Sequence, residues 1–396
     1  SSDFGSWAIL ASCQRECPGS ARHVLGVMAE GDAPGCVDLG PTVQTFFETC
    51  VFSEHRDLRI LYTAAISSSS VFTLLILYYG TRHRALIDRA PVSKQANYYL
   101  YITRMPLVFG LTSFFSILSP RSAVMWEVIQ KGYEAYTLQS FGRLLFNLLA
   151  IEHAHAEAKA TGDRNQPLMA GKRSIVASIV DTFQKQDRQK YHAVPPIGCC
   201  CALCMTPRAF TTQDMLCIVN CLRQFVVAVP CFALMHMWAV VALPKTGGIY
   251  NLQNVSMFVQ VGQILSAIVA LHGLFCLYKA THDVLHEWST TRKFVAIKLI
   301  LIVEMYQKIL INKLVEHKDR SGNEGCLLLG EHRAAFWAMW WLVPESLLMT
   351  YLMWKAFPAS ELDRNSTSEQ DPNFDFSEND IITYARSEAS FKVNVV

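Results

Sequence analysis

Seven apolar blocks of roughly twenty residues divide this chain of 396 residues. About 20 helical residues, each rising 1.5 Å, are what it takes to cross a hydrocarbon core of ~30 Å. The blocks run over about 58–80, 98–118, 124–151, 216–243, 255–278, 294–314 and 334–357. Hydrocarbon offers the backbone no water, so each spanning segment must satisfy its own N–H and C=O groups as a helix. The pattern therefore predicts an all-α integral membrane protein, a seven-transmembrane-helix bundle over 58–357. Composition agrees: 51% of residues are hydrophobic and 17% charged. A net charge of +2 carries none of the basic excess that nucleic acid attracts.

The loops give the orientation. The connection at 152–216 carries Lys159, Arg164, Lys172, Arg173, Lys185, Arg188, Lys190 and Arg208, whereas the loops after the second and fourth blocks carry only Arg121 and Lys245. By the positive-inside rule the N-terminus lies outside or in a lumen and the C-terminus in the cytosol. The N-terminal region 1–57 then faces the oxidising side with Cys13, Cys17, Cys36 and Cys50, joined by Cys326. Disulfides or unpaired thiols both fit, with one thiol left over from any pairing. Within the long loop, apolar residues at helical spacing over 174–190 predict an amphipathic helix lying in the interface or packed on the bundle. Cys199, Cys200, Cys201 and Cys204 follow, and three adjacent cysteines cannot all reach one tetrahedral ion. S-acylation and inert interfacial thiols are the open readings. Asn254 starts a glycosylation sequon close to a helix start. The tail, 358–396, is acidic and reads as flexible.

The third block is unusually polar. On a helical wheel Tyr133, Tyr136, Ser140, Arg143 and Asn147 share an arc of about 80°. Glu127, Gln130 and Glu134 occupy the arc beside it, and Leu138 is placed towards lipid. An ionisable group in hydrocarbon costs roughly 2.5–3.5 kcal/mol on insertion scales, so such a helix must face neighbours or a wet cavity. Arg223 in the fourth block, Lys298, Glu304 and Lys308 in the sixth, and Glu345 in the seventh supply possible counterparts. These groups either pair across helices and fix the bundle, or line a path for an amphipathic or anionic solute. No phosphate-cradling Gly-rich loop and no nucleophile–base pair stands out, which argues against a pump and against an enzyme.

Tyr133-Glu134-Ala135-Tyr136, with Arg104 and the Ser119-Pro120-Arg121 turn before it, resembles the third-helix signature of the organic solute transporter alpha family. The similarity is nearest to its transmembrane-protein-184 and plant Lazarus-type branch. Arg292-Lys293-Phe294-Val295-Ala296-Ile297-Lys298 resembles the start of that family's sixth helix, and Glu345 stands where the family has a glutamate in its last helix. The glycine-rich end of the third helix is replaced here by Glu152-His153-Ala154-His155-Ala156-Glu157. The resemblance implies facilitated diffusion of amphipathic organic anions or steroid- and lipid-like solutes. It also implies a small single-span partner subunit, no cofactor, and a plasma-membrane or endomembrane location. A non-catalytic subunit of a larger membrane assembly and a seven-span receptor are the alternatives.

Overall fold

The computed structural model describes residues 43–52, 56–90, 94–161, 176–177, 179–180, 210–243, 252–282, 284–319, 330–362 and 379–386. Among them there are helices and no strands. A short helical turn at Val43–Val51 precedes α1 (Arg56–Ile87), α2 (Lys94–Thr103), α3 (Met105–Leu118), α4 (Ala123–Thr161), α5 (Thr212–Ala242), α6 (Leu252–Thr281), α7 (Thr290–Asp319) and α8 (Gly330–Ala356). Taking α2 and α3 as one broken rod, these give seven long helical units over the seven apolar blocks. Four stretches are long and apolar enough to cross a membrane: Arg59–Ile87, Gln95–Leu118, Thr212–Ala242 and Asn254–Thr281. The remaining units, α4, α7 and α8, are 39, 30 and 27 residues long.

Local chemistry sets the boundaries. The serines that dilute the first apolar block bond back to their own helix: Ser68 Oγ donates to the Ala65 carbonyl and Ser70 Oγ to that of Ile66. Pro106 lacks an N–H, so the carbonyl four residues before it loses its helical partner. The chain breaks there, at Arg104, between α2 and α3. At the start of α5, Thr211 and Asp214 form a capping box, each side chain accepting from the other's backbone N–H.

Helix α8 packs against α1, α3 and α7, while α4 packs against α2, α3 and α5, and α5 against α6. Helices α6 and α7 meet chiefly at one end, where Tyr278 stacks on Phe294 with ring centroids 4.6 Å apart. Large apolar side chains point outward from α1 (Val71, Leu74), α5 (Val227, Leu234) and α6 (Phe258, Leu265), as lipid contact demands.

Val176, Ile179 and Val180, from the expected amphipathic helix, are buried in the bundle core, in keeping with the packed alternative. The tail is likewise not wholly free of the bundle: Leu362, Ile381 and Ile382 are buried in the same core. Its average polarity concealed a few apolar side chains able to dock.

Candidate functional site

The polar face of α4 runs through the bundle. Gln130 is fully buried, and its Nε2 donates to Ser113 Oγ on α3 at 2.9 Å. Glu134 is also buried, and its carboxylate meets Lys131 Nζ at 2.7 Å one turn earlier. A charge expected to reach across to another helix thus has a partner on its own. The Tyr133 hydroxyl donates to the Tyr101 carbonyl of α2 at 2.9 Å. Tyr136 meets the Tyr101 ring edge-on at 5.3 Å, and the Arg104 guanidinium lies 6.0 Å from that ring. Further along, Arg143 is half-buried while Ser140 and Asn147 are buried. The face therefore passes from an exposed aromatic ring at Tyr136 to a buried amide at Asn147.

Among the described residues, several interior polar atoms have no hydrogen-bond partner. On α4 these include Gln130 Oε1, Thr137 Oγ1 and Asn147 Oδ1; on α1 they are Ser69 Oγ and Thr73 Oγ1. A helical threonine ordinarily donates to the carbonyl four residues back. Thr112 and Thr350 do so here, at 2.7 and 2.8 Å. Thr73 and Thr137 do not. An unsatisfied buried polar atom costs about 1–3 kcal/mol, so a row of them marks a place where a solute or water would be stabilised.

The other expected residues separate. Lys298 sits 3.7 Å from the centroid of the Phe275 ring, joining α7 to α6. Glu345 is half-buried on α8. Arg223 is exposed and faces away from the bundle, so it is not brought to α4. Leu138 is 1% exposed, which corrects its expected lipid-facing position: α2, α3 and α5 surround α4 on more than one side. The side chains of Glu304 and Lys308 lie outside the described residues, as do Cys13, Cys17, Cys36, Cys199, Cys200, Cys201, Cys204 and Cys326. Cys50 is fully buried. Asn254 is exposed in the first turn of α6, and the Ser256 hydroxyl of its sequon lies 3.2 Å from His236 Nε2.

Sequence reasoning missed a second polar cluster at the other end of α4. Lys293, in the first turn of α7, is completely buried. Its ammonium donates to the Trp288 carbonyl at 2.5 Å and pairs with the Glu361 carboxylate beyond α8. The same carboxylate accepts from the Tyr99 hydroxyl of α2 at 2.8 Å. Trp288 Nε1 donates to Glu152 of α4. Burial pushes the Lys293 ammonium below its usual range, and Glu361 beside it opposes that shift. One ion pair with its neighbours therefore ties α2, α4, α7 and the chain after α8 together. The only sequence signal was Lys293 itself, since nothing local marks Glu361 as its partner.

Residues 61–362 match the family model for the organic solute transporter Ostalpha. The vacuole membrane protein HFL1 of Saccharomyces cerevisiae is 24% identical over 258 residues, covering 64% of this chain and 52% of that protein. The chain thus spans about half the length of that curated relative. No solved structure matches it. With most of its helices inside the matched region, from Leu61 in α1 to Leu362 just past α8, the chain belongs to the organic solute transporter alpha family.

Proposed function

We propose that this protein is a carrier for amphipathic organic anions or steroid- and lipid-like solutes, working by facilitated diffusion through a seven-span bundle. The N-terminus is outside or lumenal and the C-terminus cytosolic. The observation that carries the reading is the set of buried polar atoms on α4 without partners among the described residues, at Gln130, Thr137 and Asn147, on the helix that also sets Tyr133 and Tyr136 against Tyr101. An amphipathic solute needs both parts: ring faces for its apolar body and hydrogen-bonding groups for its polar one. Tyr133, Glu134, Tyr136, Ser140, Arg143 and Asn147 are the assigned path residues. Lys298 and Glu345, which the fold sets apart from the α4 face, are not assigned to this path. Membership of a solute transporter family supports the reading, and the yeast relative's name supports an endomembrane location.

The finer assignments follow the same logic. The nearest branch is the transmembrane-protein-184 and Lazarus-type group, and a small single-span subunit accompanies the chain. Cys199, Cys200, Cys201 and Cys204 are acylated on the cytosolic side. Hydroxylamine-sensitive labelling should then disappear when Cys199–Cys201 all become Ser. Cys50 forms a disulfide, in keeping with a region assigned to the oxidising side.

The path itself is tested with Thr137→Cys and Asn147→Cys. A small polar thiol reagent should modify both, and a steroid sulfate should protect both. Inertness of both sites in a folded protein would argue for a closed structural face instead.

A further inference from the structure

Helices α1 and α8 enclose an apolar cleft of about 750 Å³ on the outside of the bundle. Phe72, Leu75 and Tyr79 form one wall; Leu347, Tyr351 and Trp354 form the other. Pro344 lies at one end, where its missing N–H and its ring disturb the local helix. From there to Lys355 the helix advances roughly 16 Å.

That second end is cationic. The Arg82 guanidinium lies 5.9 Å from the centroid of the Trp354 ring, and Lys355 Nζ lies 5.8 Å from that of Tyr351. The indole is held in place: His83 stacks on it with centroids 5.3 Å apart and planes 6° from parallel, while His83 Nε2 lies 3.0 Å from the Phe357 carbonyl. Arg84 is engaged with Asp88 at 3.3 Å. Among the described residues, neither Arg82 nor Lys355 forms an ion pair, and no carboxylate lines the cleft.

We infer that this cleft is a binding site for an anionic phospholipid of the cytosolic leaflet, its phosphate at Arg82 and Lys355 and its acyl chain running between α1 and α8 towards Pro344. The charge is confined to one end, as in the lipid. The walls are large and apolar. A partner transmembrane helix would instead favour small residues that let backbones approach closely, and the lining contains no Gly, Ala, Ser or Thr. The cytosolic leaflet is where anionic lipids gather against basic side chains. The leaflet assignment rests on the orientation proposed above.

The test uses the full chain, purified in detergent, delipidated, and titrated with phosphatidylserine or phosphatidylcholine under native mass spectrometry. Phosphatidylserine should be retained in preference. The Arg82→Gln/Lys355→Gln double variant should lose about fivefold of that preference per charge removed. Leu347→Trp, which fills the cleft without touching its charge, should reduce retention of both lipids. Equal retention of the two lipids by the parent protein overturns the site, as does undiminished preference in the double variant. Crosslinking of a single-span protein in the cleft in place of lipid overturns it too. Thiol labelling of Arg89→Cys from each side of a sealed vesicle checks orientation separately. Reaction only from the outer side overturns the leaflet assignment, whatever the titration gives.

Discussion

At the scale of single residues, the consequential pair is Lys293 and Glu361. Removing one partner of a buried ion pair leaves the other charge uncompensated, which typically costs about 3–5 kcal/mol. The two deletions are not equivalent here. Glu361→Gln strands an ammonium with no exposure, whereas Lys293→Met strands a carboxylate side chain that is 18% exposed and can recruit water. Thermal unfolding in detergent should therefore show Glu361→Gln as the more damaging change, near the lower end of that range, with Lys293→Met milder. Ser289, just before α7, is the one non-glycine residue with positive φ (49°) among the described residues. That conformation costs an L-residue roughly 1–2 kcal/mol, so Ser289→Gly should raise the melting temperature or leave it unchanged. Little of this cluster was legible in the sequence. Lys293 stood out only within a motif, and its partner lies 68 residues further on, in a stretch whose overall polarity reads as flexible.

At the scale of elements, α4 shows what helical periodicity can and cannot resolve. The wheel grouped Ser140 with Asn147 and Gln130 with Glu134, and all four are buried. It placed Leu138 towards lipid because it assumes one buried and one exposed face, an assumption that fails for a helix packed by α2, α3 and α5. For Arg223 the sequence showed the block it lies in but not the direction it faces. Close approach between helices is set by small residues in the same way. A Cβ on Gly273 of α6 would fall 2.7 Å from Cys221 Cβ of α5, whereas one on Gly132 of α4 would meet nothing within 4 Å. Gly273→Ala should thus cost about 1–3 kcal/mol by forcing α5 and α6 apart. Gly132→Ala should gain up to ~1 kcal/mol in helix propensity. Opposite shifts in melting temperature check the pair; a shared sign would contradict the packing of α5 on α6.

At the scale of the whole molecule, the all-helical membrane class was legible, with four helices among the described residues long and apolar enough to span, because length and hydropathy are local properties. How the helices neighbour one another was not. The contact of α8 with α1, and the single-ended meeting of α6 and α7, depend on side chains far apart in sequence. The same is true of the unsatisfied atoms along α4, a helix packed by α2, α3 and α5. They are the basis for reading the bundle as a conduit. The most direct measurement is flux of a labelled steroid sulfate panel into proteoliposomes holding the chain with any co-purifying small subunit. Parent protein should be compared with Thr137→Val/Asn147→Leu and with outward-facing Ile129→Ala as control. Uptake that collapses in the double variant at unchanged folding, while Ile129→Ala keeps it, is the predicted result. Uptake by the double variant equal to that of the parent would contradict the assignment of α4 as the solute path.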